Sequence, residues 1–157
     1  PVAEWDIRED GRIIGVTEAL SAQEIYEMGR KVEPFQIAPA TRMGHIHLSV
    51  TDSRAASAFY QKVLELSDKF TIPSASWIAS GDYHHHLAVN EWGGKHLAKR
   101  EAQLPGLAYY VVHVEKKDDL VAIAERAKEQ GAPVSWLTSS ELAFTDPDGI
   151  VTRVRKG

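Results

Sequence analysis

The chain holds 157 residues, with 18 Lys and Arg against 22 Asp and Glu, a net charge of −4, 43% hydrophobic residues and no cysteine. This length builds one compact domain plus an arm, and the interspersed charges offer no basic stripe for nucleic acid. Disulfides and thiolate ligands are excluded, so any metal falls to His, Asp or Glu, which suit iron(II), manganese, nickel or zinc. No apolar run approaches the roughly 20 residues that span a bilayer, and PVAEWDIRED has neither the basic flank nor the apolar stretch of a secretion signal, so a cytoplasmic protein is expected.

Residues 1–43 read as a linker-like arm. Ser21 followed by Glu24 has capping-box spacing, and AQEIYEMG runs to Gly29, which predicts one short helix; Pro34 and Pro39 bracket an extended connector. From Gly44 a domain to residue 157 is expected. GHIHLSV alternates as a strand, and AASAFYQKVLEL sets Ala56, Phe59, Tyr60, Val63 and Leu64 at helical spacing. Strands follow at Lys69 to Ile72, Ser76 to Ala79 and Tyr83 to Asn90, separated by Pro73 and Gly81-Asp82.

The same order then repeats. Leu107 to Val114 reads as a strand, Asp118 or Asp119 opens the helix LVAIAERAKEQ, and Gly131 stops it with a left-handed cap. Strands at Val134 to Leu137, Glu141 to Thr145 and Ile150 to Arg155 complete the unit, with DPDG as the turn between the last two. The fold class is therefore α+β: tandem βαβββ units, about 44–100 and 106–157, forming a cupped mixed sheet around one cleft with the helices outside.

Five of the seven histidines fall in two of these strands. Side chains alternate across a strand, so His45 and His47 share the face opposite Ile46, Leu48 and Val50, while His84 and His86 oppose His85, Leu87 and Val89. If both strands line the cleft, His45 and His86 converge, with His47 and His84 behind them. A divalent cation binds imidazoles in their neutral form and explains the clustering; the alternative is a set of half-exposed strand and loop histidines. His96 and His113 read as ordinary. Trp92 with Gly93-Gly94 reads as packing or as the cleft mouth.

These residues resemble the vicinal oxygen chelate superfamily of glyoxalases, bleomycin-resistance proteins and extradiol dioxygenases. The resemblance covers Met43 to the C-terminus and is carried by MGHIHLSVTD, AFYQKVLEL, GDYHHHLAVNEWGG and FTDPDGIVTRV. More narrowly, TRMGHIHLSVTD with YHHHLAVNEW is similar to the C-terminal domain of two-domain catechol-2,3-dioxygenase-like proteins, and the arm to their interdomain linker.

The resemblance implies extradiol cleavage of a small aromatic diol by dioxygen, with Fe(II), or else Mn, Ni or Zn. It gives His45 and His86 as metal ligands, His84 (or His47) as a proton carrier, and Tyr109 (or Tyr110) as a hydrogen-bond donor to substrate oxygen. It also marks two departures: Tyr109 stands where a second ligand histidine is usual, and Arg153 where a ligand glutamate is usual. The missing ligands are then expected from an N-terminal partner domain, which would end near Pro1, or from a homodimer. A glyoxalase-like lyase or isomerase, a metal-free small-molecule binding domain and a scaffold for a catalytic partner are the competing expectations.

Overall fold

The structure, a computed structural model, describes residues 5–14, 19–29, 34, 36–94, 97–98, 101 and 103–157. His96 and residues 30–33 of the connector lie outside them.

In the arm, the Ser21 side chain accepts the Glu24 N–H at the start of helix α1 (Ala22–Met28), and Gly29 closes it by donating to the Ile25 carbonyl. Ahead of α1 lies a hairpin that the sequence did not announce, β1 (Asp6–Ile7) paired antiparallel with β2 (Ile13–Ile14). Two-residue strands carry no alternation to read. The hairpin is anchored by Ile13, which is buried, and by Lys69 Nζ, which donates to the Gly11 carbonyl at 3.3 Å. Gly11 makes the turn at φ +79°, a left-handed conformation suited to glycine.

The first unit runs β3 (Ile46–Ser49), α2 (Ser53–Leu64), β4 (Ser67–Ile72), β5 (Ala75–Ala79) and β6 (Leu87–Asn90). The second repeats it as β7 (Tyr110–Val114), α3 (Lys117–Glu129), β8 (Val134–Thr138), β9 (Glu141–Thr145) and β10 (Val151–Lys156). The sheets are ordered β3-β6-β5-β4 and β7-β10-β9-β8, so in each the first strand of the unit pairs with the fourth. That pairing is parallel in both, and the rest are antiparallel. Two strands start at least three residues later than alternation predicts: β6 at Leu87 rather than Tyr83, and β7 at Tyr110 rather than Leu107.

Each helix is set by its ends and one apolar face. Asp52 caps α2 by accepting the Arg54 and Ala55 N–H groups, and Ala56, Phe59, Tyr60 and Val63 are buried. Asp119 accepts the Lys116 N–H at the start of α3, and Gly131 ends it at φ +75°. Leu120, Ile123, Ala124 and Ala127 of α3 join Leu48, Val89, Leu142 and Phe144 in one apolar core that spans both units. No helix among the described residues is long and apolar enough to cross a membrane.

DPDG does more than turn the chain. Asp146 accepts the Ile150 N–H at 2.7 Å and the Tyr60 hydroxyl, from the other unit, at 2.8 Å; Asp148 Oδ1 accepts the Thr51 N–H and hydroxyl at 3.0 and 2.7 Å. Both carboxylates thus join the second unit to the first. Burial pushes the Asp146 carboxyl up and the Tyr60 hydroxyl far up, so the tyrosine remains a donor at every physiological pH.

Candidate metal centre

The site grows from the edge strand β3 and the loop that enters β6. Leu48 and Val50 are buried in the core, so alternation turns His45 and His47 to the opposite face. Beside them, Ile46 N–H bonds to the His86 carbonyl, and His86 N–H to the Ile78 carbonyl. Those bonds place the preceding residues, His84 and His85, next to His45.

His85 sits at the centre of the cluster. Its Nε2 lies 3.1 Å from His47 Nε2 and its Nδ1 2.5 Å from His84 Nδ1, and its ring centroid is 4.2 Å from that of His45. One ligand nitrogen from each of His45, His84 and His85 lies within 4.8 Å of the other two. The edge of Trp5, from the arm, rests against His84 at 4.7 Å, and Trp92 lies 6.1 Å from His47. Sequence alternation had assigned His85 to the core side together with Leu87. Because β6 begins only at Leu87, strand phase does not extend back to it, and the Gly81-Asp82 break with the late onset of apolar residues was the available signal.

His86, paired with His45 from the sequence, stands outside the triad of His45, His84 and His85. Its ring stacks on Tyr83 at 4.7 Å and its Nδ1 accepts the Ser80 N–H at 3.2 Å. His86 instead lines a cleft of about 730 Å³ between the β3 and β7 edges. His45 shares that wall, Tyr109, Val111 and His113 form the other, and Leu64, Leu66 and Ile123 lie deeper. Tyr109 is therefore across the cleft from the histidines. Arg153 holds its guanidinium carbon 3.7 Å from the Tyr109 ring centroid.

Burial is the main cause of the cluster's electrostatics. It lowers His85 to about 3, helped by the neighbouring charges of His84, His45, His47 and His86. It also lowers His47, with His45 adding to the effect, and His84, with His45 and His86 adding. The lowered values favour neutral rings at pH 7, the form that binds a cation, and an ion would replace the ring-to-ring bonds of His85. Nitrogens sharing one ion at ~2.1 Å in tetrahedral geometry stand about 3.4 Å apart, so side-chain rotation closes the observed spacing. Three imidazoles fit a borderline divalent ion such as Zn, Fe or Ni.

The sequence matches the family model of the Glyoxalase/Bleomycin resistance protein/Dioxygenase superfamily over residues 42–154. The chain belongs to that superfamily. A curated relative within reach of the whole chain is the catechol-2,3-dioxygenase of Bacillus subtilis strain 168, 29% identical over 149 residues, or 94% of this chain and 52% of that protein. The chain thus spans about half the length of the relative it matches. Among solved structures, the superfamily fold is shared with lactoylglutathione lyase from Agrobacterium tumefaciens, at TM-score 0.56 and 20% identity over 76% of this chain and 96% of that one. It is also shared with a fosfomycin resistance protein from Listeria monocytogenes complexed with Mn(II) and sulfate, at TM-score 0.55 and 15% identity over 74% of this chain and 90% of that one.

Proposed function

We propose that this chain carries the metal centre of an extradiol, catechol-cleaving dioxygenase, with His45, His84 and His85 holding the ion. The observation that carries this reading is the convergence of three imidazole nitrogens within 4.8 Å beside an open cleft. The 29% identity to a catechol-2,3-dioxygenase supports the substrate class. Fe(II) is the proposed metal, with Mn, Ni or Zn compatible with the same donors. When bound, such an ion lowers the cost of deprotonating a diol and holds diol and dioxygen side by side.

The chain's own residues do the rest. His47, 3.1 Å from His85 Nε2, orients His85 and offers a neutral imidazole to take and return a substrate proton. The cleft has the volume of an ordinary small-molecule site, roughly 300–1,000 Å³, and its apolar depth at Leu64, Leu66 and Ile123 takes a ring while excluding water. Tyr109, on the wall opposite His45, offers its hydroxyl to a substrate oxygen, and His86 faces the same space. With the chain spanning 52% of its relative, a preceding domain or a second copy supplies further groups in this reading. The cytoplasm is the proposed location.

Elemental analysis of the iron-supplied chain, beside His85→Ala, tests the centre. Near-stoichiometric metal that is lost in the variant is the expected result, followed by catechol-dependent oxygen uptake. A folded chain that binds no metal overturns the centre. A loaded chain that takes up no oxygen with catechol, alone or with a preceding domain restored, overturns the dioxygenase assignment.

A further inference from the structure

Tyr109 and Arg153, the two positions where this sequence departs from the superfamily's usual ligands, are in contact. Arg153 pairs with Val111 in the β10–β7 register, so Arg153, Val111 and Tyr109 share the face opposite Val112 and Val154. The Arg153 guanidinium lies over the Tyr109 ring at 3.7 Å, and Tyr109 and Val111 both line the cleft across from His45 and His86. A cation over an aromatic face is held in place without its N–H donors being used up.

Charge in this corner does not cancel. Arg155 Nε and Nη2 occupy both oxygens of Glu141 at 3.1 and 3.2 Å, whereas Arg153 Nη1 stands at 3.6 Å, beyond hydrogen-bond reach. Two guanidiniums therefore share one carboxylate. Beyond this ion pair, the Arg153 side chain makes no hydrogen bond to the described residues, and it is 32% exposed.

We propose that Arg153, steadied by Tyr109, is the recognition site for the carboxylate of an aromatic acid whose ring enters the cleft. A guanidinium fork matches the two oxygens of a carboxylate, and apolar Val111 lines the cleft that takes the ring. The inference rests on reading the cleft as the substrate site, and it extends the substrate class from catechols to carboxylated aromatic diols. It does not require the metal.

The test titrates the full chain, stripped with chelator, with benzoate and 3,4-dihydroxybenzoate against benzyl alcohol and catechol, followed by calorimetry or amide shifts. The acids are expected to bind roughly tenfold or more tighter than their neutral counterparts. Arg153→Gln is expected to erase that preference, Arg153→Lys to restore part of it, and Tyr109→Leu to weaken it, with circular dichroism confirming that each variant is folded. Equal affinity for benzoate and benzyl alcohol, or an undiminished preference in Arg153→Gln, overturns the inference. Acid preference in a chain that binds no metal overturns only the metal centre, and a metal-loaded chain without acid preference overturns only the carboxylate site.

Discussion

Replacing Tyr60 by Phe removes a single oxygen from the core, and the structure gives its consequence. The ring is fully buried against Phe59 and Phe144, so Phe keeps the packing. What is lost is the 2.8 Å donor to Asp146 Oδ2, leaving a buried carboxylate oxygen unpartnered. A hydrogen bond to a charged group contributes about 1.5–3 kcal/mol, which for a chain of this size lowers the melting temperature by roughly 3–12 °C.

The cost depends on pH with a definite sign. Burial raises Asp146 above its unfolded value of 3.8, while the Tyr60 bond pulls it back down. A raised carboxyl leaves the fold unburdened below the unfolded value and weakens it as pH rises through the folded one. Tyr60→Phe enlarges that burden, so the loss is greatest near pH 7.5 and smaller near pH 4. Urea unfolding at both pH values measures it, and a Tyr60→Phe/Asp146→Asn cycle isolates the pair. A loss under about 0.5 kcal/mol at pH 7.5, the size of an ordinary surface substitution, or one equal at both pH values refutes the reasoning.

Other outcomes follow from the same structure. His47, His84, His85 and His86 all have lowered values, so the unfolded chain binds more protons below about pH 6.5 and stability falls as pH drops through the folded values, continuing to about 3 for His85; unfolding at pH 7.5, 5.5 and 4.5 should show a shallower acid limb in His85→Ala. Gly131→Ala meets no atom within 4 Å but is forced to φ +75°, so it should cost about 1–2 kcal/mol in denaturant unfolding, with Gly131→Asn costing less.

Long periodic elements were legible because several signals agreed. Ala56, Phe59, Tyr60 and Val63 gave α2 its buried face, and Gly131 gave the stop of α3. The repeated order of elements gave two equivalent units, and both sheets have the same strand order. The hairpin of the arm was not legible, because its strands hold two residues each and its anchor, Lys69, lies 58 positions from Gly11. At the histidines, alternation placed His45 and His47 on one face but carried the β6 pattern too far upstream. His85 therefore emerged only from the loop's path, while His45 and His86, both named from the sequence, line one cleft. The approach of Arg153 to Tyr109 depends on pairing between β7 and β10, which no local pattern encodes.

The tie made by the DPDG turn also bears on the order of folding. Thr51 and Asp148 are 97 positions apart, and Tyr60 and Asp146 are 86 apart. Contacts of such separation close long loops and slow the search for the native state. A nascent chain can build β3 through β6 with α2 in place, yet the Tyr60 hydroxyl waits for the last two strands. Joining of the two units through Asp146 is therefore expected to be a late step in folding.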